Sequence, residues 1–153
     1  MDDLDAFVKL SGTIPGWTRA EEAEALAQLA HELPDGAVVV EIGSFCGSGA
    51  VLLAGARKVR GSGVVHCVDP FDGSGDAFSV PHYKAVIGAH GGRPLRQLFD
   101  ENIRGAGLAD WIETHQGLAH EIAAGWSRPI DLLFMDGDQS PAGARAAFDS
   151  WSP

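Results

Sequence analysis

The stretch Val39-Val40-Glu41-Ile42-Gly43-Ser44-Phe45-Cys46-Gly47-Ser48-Gly49 constrains this chain more than any other. Residues 37–42 are short, β-branched and apolar on both faces, the pattern of a parallel strand covered by helices above and below. Helical spacing resumes at residues 48–59 and closes with Arg57, Lys58 and Arg60, cations suited to a helix C-terminus, before Gly61-Ser62-Gly63 breaks it. Between strand and helix lie three glycines, where the backbone can bend sharply, approach a ligand and offer the unpaired N–H groups of a helix start. The expected occupant is a small molecule. Dinucleotide sites use G-x-G-x-x-G, whereas this turn is G-x-x-x-G-x-G with an acid two residues ahead of the first glycine. Glu41 would repel a pyrophosphate but suit a ligand whose nearby end is cationic.

The rest of the chain repeats the alternation of strand and helix. Thr18 and Glu21 form a capping box, and Ala23, Leu26, Ala27, Leu29, Ala30 and Leu33 recur at helical spacing until Pro34-Asp35-Gly36. Further buried strands are expected at 64–69, 111–115 and 131–136, with helices at 94–103, 118–126 and 141–151. Residues 70–92 are rich in Gly, Asp and Ser and predict a mobile loop with a short helix around Tyr83. Such alternation implies right-handed crossovers and one open, parallel, Rossmann-like α/β sheet with helices on both faces. At 153 residues and 45% hydrophobic, the chain has material for a single core.

Composition narrows the partners. A formal net charge of −10 with no long Lys/Arg run disfavours nucleic acid. The acidic opening Met1-Asp2-Asp3-Leu4-Asp5 and the lack of any apolar run near ~20 residues argue against a secretory signal or membrane anchor, so a cytoplasmic protein is expected. Cys46, expected in a turn, and Cys67, expected in a strand, form no disulfide framework. His31, His66, His90 and His115 lack the spacing of a zinc site, and the four tryptophans read as packing anchors.

Asp69 ends the second expected strand, where doubly wound folds place an acid for ribose hydroxyls. Glu41 and Asp69 could each be a strand-end carboxylate facing solvent; their joint occurrence with the glycine turn favours binding.

Residues 41–49 resemble the first motif of class I S-adenosylmethionine-dependent methyltransferases, in particular catechol-O-methyltransferase-like enzymes and bacterial small-molecule relatives. Val65-His66-Cys67-Val68-Asp69-Pro70-Phe71-Asp72-Gly73 resembles their second strand, Gln116-Gly117 with Ala119-His120 their adenine turn, and residues 131–138 their fourth strand with its Asp-Gly-Asp ending. The resemblance runs from about Ile14 to Pro153 and implies one partial cofactor-binding domain over 1–153. It implies that Gly43, Ser44, Phe45, Gly47 and Ser48 line the methionine moiety, with Glu41 beneath it. Asp69 and Pro70 would hold the ribose, and Gln116 and Gly117 would border the adenine. Asp136 and Asp138 would serve catalysis, with Asp136 beside the reactive methyl and, in metal-dependent members, on a magnesium-type cation. The implied reaction is O-methylation of a small hydroxylated metabolite.

Two departures qualify this. Relatives commonly read Asp-Gly-Asp-His-Ser-Tyr, with Lys replacing His in catechol-type enzymes; here Gln139 follows Asp138 and cannot take a proton. Metal activation, His82 or Tyr83 could replace that base, although both loop residues read more simply as ordinary ones. Relatives also continue past a Trp-x-Pro like Trp151-Ser152-Pro153 into further strands, so the sheet is expected to be truncated after the fourth strand and its helix. Its bare edge predicts a homo-oligomer. The alternative to an enzyme is a non-catalytic cofactor-binding remnant or interaction subunit; a nicotinamide oxidoreductase is disfavoured by the glycine spacing.

Overall fold

The computed structural model describes residues 3–153, so Met1 and Asp2 of the acidic opening lie outside the described residues. Its elements in chain order are α1 (Leu4–Ser11), α2 (Ala20–Glu32), β1 (Val38–Ile42), α3 (Ser48–Arg60), β2 (Val64–Asp69), α4 (Ser79–Ala89) and α5 (Leu95–Gly105). After a 3-10 turn at Ala109–Trp111 come β3 (Ile112–Gln116), α6 (Ala119–Ala124), β4 (Leu132–Met135) and α7 (Pro141–Trp151). The four strands form one sheet in the order β3-β2-β1-β4, and every pairing is parallel. This is the Rossmann-like arrangement, with the change of direction between β1 and β4.

Alternation along the strands sends side chains to two cores. Val39, Val65 and Cys67 join the larger one with Phe7 of α1, Ala27 and Ala30 of α2, the buried length of α3, and Leu98, Phe99 and Ile103 of α5. Val40, Ile42 and Val68 face the opposite way, onto α6, Trp126 and Trp151. Helix α3 is covered so completely that its Arg57 is fully buried. That guanidinium does not serve its own helix end: it donates to Ala30 O in the last turn of α2 and to Leu33 O and Pro34 O just beyond it. Desolvation lowers its pKa, and the carbonyls compensate the buried charge. At Gly55 helix α1 lies so close that a Cβ would collide with the Phe7 ring. Truncating Phe99, 1% exposed, to Ala would cost about 3–5 kcal/mol.

Most elements fall where the pattern places them, with four corrections. Asp3, whose Oδ1 accepts from Ala6 N at 2.7 Å, starts a helix, α1, that the sequence expectation left out. Thr18 does not cap α2: the helix begins at Ala20 after Arg19. Arg19 reaches back to Thr18 O and Ile14 O, and this draws the chain sideways so that Thr18 is buried beside the strand ends. Residues 79–89 form three turns of helix rather than a short one inside a loop. Helix α5 runs through Gly105 rather than stopping before it. Among the described residues no helix is long and apolar enough to cross a membrane.

Candidate active site

At the C-terminal ends of the strands a cavity of about 380 Å³ opens beside the β1–β4 change of direction, where open α/β sheets bind ligands. The β1–α3 turn contributes Glu41, Gly43, Ser44, Phe45, Ser48 and Gly49. Asp69 ends β2 and Pro70 follows it, Gly117 follows β3, and Asp136 and Asp138 lie in the turn after β4.

Glu41 is 1% exposed and accepts from Ser44 Oγ at 2.7 Å. It therefore does not face solvent. Burial, reinforced by the nearby Asp136 and Asp69 carboxyls, pushes its pKa to about 8, so it holds a proton at neutral pH. Its carboxyl occupies the space where a Cβ on Gly49 would stand, which explains glycine at that position. Gly43 has φ 90°, and a Cβ there would stand 2.5 Å from Asp136 O and from Gly137 Cα. The glycine thus lets the β1 and β4 turns touch backbone to backbone. Gly47, also left-handed, faces the Phe99 and Ile103 side chains instead of the cavity. The glycine spacing is accordingly set by close packing within the protein as much as by access for a ligand.

Asp69 holds two strained turns together. Its Oδ2 accepts from Phe45 N at 2.9 Å and its Oδ1 from Phe71 N at 2.6 Å. Both phenylalanines have left-handed φ values, 48° and 55°, a strain on the order of 1–3 kcal/mol each. Burial raises the Asp69 pKa, and these backbone donors oppose the rise. The Ser44 backbone adds to these donors, and a carboxylate with about four lone-pair positions still has room to accept from a ligand. Gln116 points away from the cavity, accepting from Arg96 Nη1 and donating to Pro70 O, while the adjacent Gly117 lines it.

On the β4 side, burial lifts the Asp136 pKa to about 6, and its side-chain partner is Gln139 Nε2 at 3.5 Å. Asp138 turns toward the start of α7, accepting from Ser140 N at 2.9 Å and lying where a Cβ on Gly143 would stand. A magnesium-type ion needs several oxygen ligands. Among the described residues Asp136 belongs to no group of three His, Cys, Asp or Glu able to share an ion, so the carboxylates here do not by themselves fit the expected metal.

Trp17, expected as a packing anchor, lines the cavity and is 42% exposed. Its ring centroid lies 6.0 Å from that of Phe45 and 5.7 Å from that of Tyr83, while Phe45 and Tyr83 are 4.7 Å apart. The sequence signal was its setting in Pro15-Gly16-Trp17, a turn rather than a helix face. Trp126 and Trp151 do pack on each other, at 5.4 Å. Tyr83 reaches the cavity from α4, and burial raises its pKa, keeping it a phenol. Asp76 ties the 70–78 loop to the β4 turn by accepting from Gln139 N at 3.2 Å. Cys46 and Cys67 are buried and free, their thiols held protonated by burial, Cys46 with a pKa of about 12.

The family described as a methyltransferase domain matches residues 40–153, from β1 through α7. The chain belongs to this methyltransferase domain family. Solved structures share the fold of this methyltransferase domain. The cofactor-bound Rv0187 protein from MTB superposes with a TM-score of 0.59 at 22% identity, covering 96% of this chain and 59% of that one. An O-methyltransferase from Bacillus cereus in complex with SAH gives 0.57 at 19% identity, over 98% of this chain and 61% of that one. The O-methyltransferase TomG from Streptomyces achromogenes, involved in tomaymycin synthesis and solved with SAM, gives 0.58 at 19% identity, over 98% and 60%. This methyltransferase domain therefore spans about 60% of the length of each.

Proposed function

We propose that the protein binds S-adenosylmethionine in the cavity at the strand ends and methylates a hydroxyl of a small molecule. The observation that carries this is the convergence of three carboxyl groups, Glu41, Asp69 and Asp136, on one cavity of about 380 Å³ in a methyltransferase domain. A volume in the ~300–1,000 Å³ range suits a ligand of that size. Two solved relatives of the fold carry SAM or SAH.

The residues divide the work by position. Glu41, once opposed by a cation, gives up its proton and receives the ammonium and sulfonium end of the ligand. The remaining acceptor capacity of Asp69 takes hydrogen bonds from the ribose hydroxyls. Gly117 and Ala119 border the base. Trp17, Phe45 and Tyr83 line the cavity as one aromatic group and present π faces that favour positive charge.

When bound, the sulfonium supplies an electrophilic methyl group, and its in-line displacement leaves a neutral thioether. A bound group of that kind would give its methyl to the acceptor oxygen, and Asp136 would take the hydroxyl proton. With a pKa of about 6 that carboxyl is mostly ionised at neutral pH and can take the proton. Gln139 cannot. The chain mainly aligns nucleophile and methyl and excludes water.

Incubation with S-adenosylmethionine and a panel of catechols, phenols and sugars tests this by mass spectrometry of the products. Methyl ethers formed by the native protein and lost in Asp136→Asn are expected; methyl esters, methylamines or no product from cofactor-loaded protein would contradict it. Gln139 in place of the base of relatives favours one second reading, a subunit that binds the nucleoside without transfer. Cofactor binding with no product across the panel identifies that case.

A further inference from the structure

Away from the cavity, on the sheet face covered by α6 and α7, three donor side chains meet. His66 of β2 stands opposite Glu113 of β3 in the parallel register, and His115 follows two residues on, opposite Val68. Alternation along β3 therefore puts Glu113 and His115 on the same face as His66. His66 Nδ1 lies 3.0 Å from His115 Nε2 and 3.6 Å from Glu113 Oε2, while His115 Nε2 lies 3.6 Å from Glu113 Oε1. Zinc held tetrahedrally by N and O donors at ~2.0–2.2 Å keeps those donors about 3.3–3.6 Å apart, so this triangle needs adjustment of only tenths of an ångström.

We propose that His66, Glu113 and His115 form a binding site for a zinc-class divalent cation, distinct from the cavity at the strand ends. The sequence hides it, because the two ligands on β3 lie 47 and 49 residues after the one on β2. The donor set is of the kind imidazole-favouring ions use. His66 is 1% exposed, so packing fixes its ring in place beside the other two donors. The Trp126 ring stands edge-on to both imidazoles, at 4.9 and 5.7 Å, and walls the site. Glu113, 58% exposed, leaves an entry and an open fourth position.

One contact opposes the ion. Arg128 Nη1 lies 3.1 Å from His66 Nε2, so the guanidinium donates to that nitrogen and the ring proton sits on Nδ1, shared with His115. Metal on Nδ1 moves the proton to Nε2, and Arg128, an exposed side chain, must turn away. The site thus carries its own discriminating variant.

Titration of the whole protein with Co²⁺, read by visible absorption, and then with Zn²⁺ in competition, is the test. One ion per chain with the intense bands of four-coordinate cobalt is expected. His115→Ala and Glu113→Gln, both on partly or well exposed positions, should each weaken binding about tenfold or more. Arg128→Gln should tighten it, and Asp136→Asn should leave it unchanged, which separates this site from the proposed cofactor cavity. Unchanged affinity in His115→Ala, or loss of binding in Asp136→Asn, would overturn the proposal; circular dichroism of each variant guards against misfolding.

Discussion

The two sides of the cavity are built to different standards. Strand β1 is flanked by β2 and β4, its Glu41 is buried, and both oxygens of the neighbouring Asp69 are held by backbone N–H groups at 2.9 Å or less. Among the described residues strand β4 pairs only with β1, none of its residues is fully buried, and Asp136 just after it meets Gln139 at 3.5 Å. The first side is a fixed mould; the second is placed through backbone, by the β1–β4 ladder, by Asp136 N donating to Ile42 O at 2.8 Å and by the close approach of Gly43 to the Asp136–Gly137 peptide. Such a division suits a site that must hold one ligand rigidly while adapting to another.

The contrast is most severely broken at Gly43. Gly43→Ala combines left-handed strain with a 2.5 Å clash against backbone and should cost roughly 2–5 kcal/mol in urea melts. Gly36→Ala has a similar φ, 73°, with nothing within 4 Å, so it should cost only about 1 kcal/mol. Equal losses would show that the contact between the turns carries no weight.

Next in size is Asp136→Asn, which should lower methyl transfer about 100-fold while changing cofactor affinity little. In the native protein transfer should rise with pH through about 6, as Asp136 ionises. A pH-independent rate across that range would remove Asp136 as proton acceptor.

Glu41 sharpens the comparison through stability. Its folded pKa of about 8 lies above the ordinary 4.5, so between those values the native state keeps a proton that the unfolded chain has lost. Stability must then fall as pH rises across that window, by on the order of a few kcal/mol, and level off above it. Glu41→Gln should flatten this fall in thermal melts yet weaken binding of S-adenosylmethionine about tenfold. Smallest is the effect of the bare edge: β4 pairs with no second strand among the described residues, and modest, concentration-dependent self-association by sedimentation is expected, against which a single non-associating species would count.

Local constraints were legible in the sequence and long-range ones were not. A β-branched run buried on both faces, glycines after it and Asp69 at the next strand end identify strand, turn and cavity, because each depends on residues adjacent in the chain. Arg57 looked like a cation closing α3, but its carbonyl partners lie 23 to 27 residues away, in the last turn of α2 and just after it. Thr18 fitted a cap in pattern alone, and Arg19 overrode it. Trp17 was set apart from the packing tryptophans only by its turn, Pro15-Gly16-Trp17, and tertiary structure alone brings it beside Phe45 and Tyr83. Gly47 and Gln116 share a motif with cavity residues and still face elsewhere, because a motif fixes the backbone and not every side chain's direction.

The most direct test is calorimetric titration of the folded protein with S-adenosylmethionine and S-adenosylhomocysteine at pH values on either side of 8. One ligand per chain is expected for both, with the sulfonium form gaining affinity as pH rises through the Glu41 transition and the neutral thioether gaining less. No binding of either ligand by folded protein, or binding equally undisturbed by Glu41→Gln at every pH, would contradict the assignment of this cavity.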